Sequence, residues 1–516
     1  MHIDRDTARR CAQSLVALGA PAAAADLAVV AWLDLLRIDP RDPRDPAGDR
    51  LLVHGPGAID LAGALARLVE AGDVATVSGA ADGVLGEAVG MAWGARTLAH
   101  GGERNVCVIA PLGEIFAGAP METAAFAVRC RLDNLVVLTM DDGADDVADD
   151  AAEQLAAAGW FVQSVAAHDP MQILAALKRV RGRERPSLIV GRGASRAPAA
   201  AVAVAQVPAE VRGRFADRAA EAREWRRGWR ETRAAEAAFA AAKEMPARRR
   251  VAGTPERLAV EVLAAGDGVV ECPEISARER AALARGLALL GATPLLAAPI
   301  ADVDHLRPLL RQLVRGGLSG VVVVREAADD DDTLWSLRLL RGVTVWRPAD
   351  GVEVLAACGA ALERRGPHVI FVARDLPFVL PRPRAASPGE VERGAYVAAE
   401  ASTADPTLVI LSSGHELAGA LAAHGRLEAE GVSTRVVSVP CVGMLAAWPS
   451  AQLRRVLGGS AARVVMEPGP ALPWRAVLAG DALLVRAGAP AAVLAHNLLA
   501  QLGLASRRRD AARVAH

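Results

Sequence analysis

Two acidic stretches stand where a parallel sheet could use them. Glu114 follows the apolar run Val106–Ile109, and Asp141-Asp142 follow the run Leu135–Leu138. Between the runs, Met121, Ala124, Ala125 and Val128 recur at helical spacing. A strand, helix and strand of this length form a βαβ unit with parallel strands. Ligands of such sheets bind beyond the carboxyl ends of the strands. Those ends are Ala110–Glu114 and Thr139–Gly143. Carboxylates there can offer oxygens to a divalent cation.

The stretch Val106–Gly143 resembles the diphosphate-binding core of transketolases. Aligned on Glu122, Leu132, Asp133 and Asn134, it needs no gap. That family carries Gly-Asp-Gly-Glu after the first strand and Asn after the second, and their oxygens hold the Mg2+ that anchors thiamine diphosphate. Here Pro111-Leu112-Gly113 stands for Gly-Asp-Gly, Glu114 keeps the acid, and Asp142 stands for the Asn. Gly113, Glu114 and Asp142 are therefore the candidate cofactor-binding residues. Leu112 has no side-chain oxygen for a cation that demands octahedral oxygen ligation.

The resemblance also implies histidines that move protons on sugar substrates. Gly19-Ala20-Pro21 replaces the family's Gly-His-Pro, and Gly55-Pro56-Gly57 replaces its Gly-His-Gly, with His54 two residues early. No histidine occurs between His168 and His305, and Asp331 takes the place of the second domain's histidine. The activating carboxylate has two alignments. Without a gap it is Ala277. With a two-residue deletion, Arg278-Glu279-Arg280 matches Arg-Glu-His, and Glu279 is the candidate catalytic residue. Its plainer role is an acidic first-turn residue favoured by the helix dipole. Arg374, in Val372-Ala373-Arg374-Asp375, matches the family's phosphate-gripping arginine. His168-Asp169 matches a turn, and Glu467 matches a domain contact.

Around these residues the chain reads as alternating helices and strands. Thr7–Arg37 and Ala58–Val69 have helical periodicity, and Gly83–Leu98 is a Gly-rich helix entry. Glu210–Arg249 is charged and helical, with Trp225 and Trp229 on one face. Strand candidates continue at Leu188–Gly191, Val269–Glu271, Val321–Val324, Val343–Trp346, Val369–Val372 and Leu408–Leu411. The expected class is α/β: three doubly wound domains in transketolase-like order. They are a diphosphate-binding type at 1–208, a helical linker at 209–250, a pyrimidine-binding type at 251–385 and a C-terminal transketolase type at 386–516.

The 516 residues suffice for about three domains of ~150 each. With 52% hydrophobic residues and a net charge of -1 the chain advertises no nucleic-acid partner. No apolar run approaches the ~18 residues of a membrane span. Six cysteines without a Cys-x-x-Cys pair fit a reducing, cytoplasmic compartment. Zinc spacing, a P-loop and the dinucleotide fingerprint are absent.

Together these readings give three expectations. The first is an inactive, transketolase-like dimeric scaffold or regulatory subunit, pairing with itself or with an active transketolase and holding no cofactor. The second is a divergent enzyme using thiamine diphosphate and Mg2+, with Glu114, Asp141 or Asp142 as metal ligands and Glu279 as the activating carboxylate. The third is a sugar-phosphate or anion sensor built on Arg374.

Overall fold

The computed structural model describes residues 4–43, 48–70, 74–78, 84–97, 104–115, 120–141, 147–180, 183–193, 207–266, 269–273, 275–326, 331–373, 376–377, 379–380, 388–458, 461–467, 472–478 and 483–485, without 241–254. The chain divides into two compact units: Met1–Arg248 with Cys272–Ala292, and Arg249–Glu271 with Thr293–His516.

The first unit is built on one parallel sheet. Its strands are β1 (Arg50–Val53), β2 (Thr76–Val77), β3 (Val106–Ile109), β4 (Leu135–Asp141), β5 (Phe161–Ala166) and β6 (Ser187–Arg192), in the order β2-β1-β3-β4-β6-β5. β1, β3 and most of β4 and β6 are buried, as continuous Val/Ile/Leu runs covered on both faces must be. Helices α1 (Arg5–Ala17), α2 (Ala22–Val30), α3 (Ala58–Leu68), α4 (Val84–Thr97), α5 (Leu112–Ile115), α6 (Pro120–Arg129), α7 (Val147–Ala157) and α8 (Pro170–Val180) flank it. The single helix expected over Thr7–Arg37 is two helices, because Gly19, at φ 98°, and Pro21 end the first.

The long helix α9 (Ala209–Ala240) lies against the same unit. Phe215 is fully buried and stacks on Trp32, Arg226 pairs with Asp39 and Asp42, and Arg37 sits 4.0 Å over the Trp225 ring. The side chain of Trp229 lies outside the described residues.

The second unit holds α10 (Pro255–Ala264) and two sheets. One contains β7 (Val269–Glu271), β8 (Thr293–Pro299), β9 (Gly320–Arg325), β10 (Thr344–Trp346) and β11 (Pro367–Val372), all parallel, ordered β10-β11-β9-β8-β7. The other contains β12 (Tyr396–Ala399), β13 (Leu408–Ser412), β14 (Thr434–Ser438), β15 (Ala462–Met466) and β16 (Leu483–Val485), ordered β12-β14-β13-β15-β16, with β12 antiparallel at the edge. The three-sheet α/β plan is the one the sequence implies.

Helix α11 (Ala277–Leu289) follows β7 in the chain yet belongs to the first unit. It crosses α4 at backbone contact. A Cβ at Gly90 would strike the carbonyl oxygen of Leu283, and one at Gly286 would strike that of Glu87. Gly86 is as tight, since a Cβ there would sit 2.6 Å from Cβ of Ala282. A buried ion pair between Arg285 and Glu87 locks the register. No described helix is long and apolar enough to cross a membrane.

Candidate active site

The position of α11 decides where Glu279 goes. Ser276 caps the helix, its Oγ accepting from Glu279 N at 3.4 Å and donating to Glu279 Oε2 at 2.8 Å. This Ser-x-x-Glu capping box fixes the first turn and points the carboxyl inward. Thr123 N and Oγ1, on α6, donate to Glu279 Oε1 at 3.2 and 3.0 Å. Neighbouring Glu122 accepts from Ser276 N at 3.2 Å. Burial, and then the hydrogen bond with Glu122, raise the Glu279 pKa; that same bond, and then Ser276 N, lower that of Glu122. Of the two carboxyls, Glu279 holds a proton the more firmly. The resemblance implies that first- and second-domain groups of this kind come from different subunits; here one chain supplies both.

The turn after β3 forms a second focus. Leu112 and Ile115 are both 2% exposed and fill the inner side of α5, while Gly113 faces open space. Glu114 lies 3.5 Å from His54 Nε2, and His54 Nδ1 donates to the Ser78 carbonyl at 3.1 Å. The loop after β1 comes close enough that a Cβ at Gly55, at φ 91°, would lie 2.7 Å from Cδ of Pro111. Gly57, at φ 77°, packs as closely on Pro21. Pro21, His54–Gly57 and Ala110–Pro111 thus surround one cavity of about 290 Å3, whose other walls include Leu27, Leu61, Met140 and Gly193. Three loops that the sequence comparison treated separately converge there.

The remaining candidates fare differently. Asp141 pairs with Arg192 at 3.4 Å. Asp142 and Arg374 lie outside the described residues. His168 bonds Asp26 at 2.9 Å and Asp169 caps the next helix, so this pair builds a turn. Among the described residues no group of three His, Cys, Asp or Glu is arranged to hold a metal ion.

A buried charge network in the second unit escaped the sequence reading. Arg347, after β10, reaches Glu326 at 2.6 Å, Glu416 at 2.5 Å and the Ser413 carbonyl at 2.9 Å. Glu467 accepts from Arg338 at 2.9 Å and Trp474 at 2.6 Å, and also from Ser413. Hydrogen bonds to Glu326 and Glu416 raise the His415 pKa to about 9. Burial works to raise the Glu326 pKa, yet Arg347 and His415 hold it down to about 2. The network ties carboxyl ends of two sheets together, and its members are remote in sequence.

Comparison with known proteins is decisive at this point. Residues 68–204 match the family model described as the transketolase thiamine diphosphate binding domain, and residues 394–487 match the transketolase-like C-terminal domain. Transketolase 2 of Xanthobacter flavus is 28% identical over 595 residues, an alignment covering 89% of this chain and 86% of that protein. The chain belongs to the transketolase family. Transketolase of Aquifex aeolicus is 33% identical over 194 residues, spanning 35% of this chain and 28% of that protein. In fold, the chain is similar to the Campylobacter jejuni transketolase crystal structure, with a TM-score of 0.76, 16% identity, and 97% and 100% of the two chains covered.

The match over 68–204 overturns the expectation of no cofactor, since that segment is of the thiamine diphosphate binding type. The reasoning from Leu112 gave too much weight to one ligand position. At the pyrimidine end the residues fit the cofactor: a buried carboxyl with a raised pKa is suited to share a proton with a ring nitrogen. At the metal end, Leu112 offers no oxygen, and Asp142 lies outside the described residues.

Proposed function

We propose that this chain is a divergent thiamine-diphosphate-dependent enzyme of its family, with Glu279 as the carboxylic acid that meets the cofactor's aminopyrimidine. The supporting observation is the buried Glu279 carboxyl, held by Thr123 and Ser276 beside Glu122, with its pKa raised while that of Glu122 is lowered. The chemistry thiamine diphosphate supplies when bound is a nucleophilic thiazolium carbon. The chain's part is to hold a proton at a Glu279 oxygen, with Thr123 and Ser276 fixing the carboxyl's orientation and Glu122 taking the negative charge. Glycine-packed α4 and α11 keep that geometry rigid. A homodimer of the family's kind is part of this reading; light scattering tests it.

The test is deuterium exchange at the thiazolium carbon of thiamine diphosphate, followed by NMR in the presence of Mg2+. The wild-type chain is expected to accelerate exchange by about 100-fold or more over Glu279→Gln, the range of general acid–base catalysis. Equal rates would reject the role of Glu279.

A second reading, an inactive scaffold or regulatory subunit, is supported by buried Leu112 and by Ala20 and Pro56 at the family's histidine positions. It requires that the wild-type chain give no acceleration at all. Sugar-phosphate sensing through Arg374 has no structural observation in its favour.

A further inference from the structure

The buried network of the second unit is unbalanced in its permanent charges. Glu416, Glu467, Arg338 and Arg347 are buried at the side chain, and Glu326 nearly so. Carboxyls Glu326, Glu416 and Glu467 thus outnumber guanidinia Arg338 and Arg347 in a nearly dry place, where an unpaired charge is costly. Among the described members of the network, His415 is the group that can supply the missing cation. Its Nε2 lies 3.0 Å from Glu416, and its Nδ1 lies 3.8 Å from Glu326 and 3.3 Å from Arg347 Nη2. Arg347 opposes a charge on the ring, but Glu326 and then Glu416 outweigh it and push the pKa up to about 9. The ring is 55% exposed, so water reaches it while its partners stay dry.

These charges sit where the two sheets of the unit are joined. Arg347, after β10, donates its backbone N–H to the Pro440 carbonyl at 2.7 Å, and its own carbonyl accepts from Gly414 N at 3.0 Å. A Cβ at Gly414, at φ 64°, would lie 2.6 Å from Cζ of Arg347, so the loop after β13 lies flat on the guanidinium. Glu326 approaches the same guanidinium from the end of β9, and Glu416 from the first turn of the helix Glu416–Ala429. We propose that His415 closes a pH-sensitive clasp between these two sheets: as an imidazolium it shares the neutralisation of Glu326 and Glu416 with Arg347, and on losing its proton it leaves an excess carboxylate at the seam and loosens it. The clasp shares no residue with the Glu279 site.

A histidine pKa raised on folding stabilises fully below its ordinary 6.5, and that contribution is lost as pH climbs through about 9. The experiment is NMR titration of the full chain labelled at histidine Cε1, with His415 assigned by its absence from His415→Gln. Its ring is expected to titrate near pH 9, and about one unit or more lower in Glu326→Gln. The melting temperature of His415→Gln should lie about 3 °C or more below wild type at pH 6, narrowing to within about 1 °C by pH 10. At pH 7, hydrogen exchange in peptides holding Arg347 and Gly414 should be about tenfold faster in His415→Gln. His415 is half exposed, so this variant keeps the core intact, and Glu326→Gln supplies an independent arm. A ring that titrates at or below 6.5 would place the proton on a carboxyl and overturn the clasp. A melting gap equal at pH 6 and pH 10, or unchanged exchange at the seam, overturns it as well.

Discussion

At the scale of single residues, Glu279, the proposed catalytic acid, has a thermodynamic signature. Its pKa in the folded chain is raised from the ordinary 4.5, chiefly by burial. A carboxyl raised on folding binds its proton more tightly when folded, so its contribution is fully present below the unfolded pKa and falls as pH climbs through the folded one. Glu279→Gln keeps the shape and removes the titration. The melting temperature of Glu279→Gln relative to wild type should therefore rise with pH from about 4 upward. A difference independent of pH would mean that Glu279 is not held protonated. The sequence left Glu279 level with Ala277 because a two-residue slip turns a helix by about 200°. The Ser276-x-x-Glu279 capping box, legible as a pattern, was the signal that would have separated them. Glu122 served only to anchor the alignment, and nothing local marks it as a partner 157 positions before Glu279 in the chain.

At the scale of elements, the decisive contact is α4 on α11. The stripe Gly86, Gly90 and Gly94 was legible as a close-approach helix, but what it approaches lies in another segment of the chain. Gly90→Val would put side-chain atoms into a backbone carbonyl that cannot move aside. We expect a loss of about 1–3 kcal/mol by urea denaturation, together with loss of the Glu279 pH signature. A stability change below a few tenths of a kcal/mol would show the helices to be looser than described. Strands were legible where Val, Ile and Leu run together, as in β9 and β13. β8 was missed because its sequence, Thr293-Pro-Leu-Leu-Ala-Ala-Pro299, is bounded by prolines and carries helix-forming alanines. Burial between two strands overrides those propensities.

At the scale of the whole molecule, domain order and family followed from the sequence, while the need for cofactor was misjudged from one metal-ligand position. The structure adds that a single chain brings Glu122, Thr123, Ser276 and Glu279 together. Cysteines introduced at positions 122 and 276 and joined by a short bismaleimide should give a product of monomer mass on a denaturing gel. A dimer-mass product would place the pair between subunits.

The most direct measurement is titration calorimetry of thiamine diphosphate with saturating Mg2+ into the wild-type chain and into Glu279→Gln. Binding by wild type, weakened about tenfold or more in the variant, is the expected result. No heat from either protein at millimolar cofactor, or equal affinity in both, would contradict it.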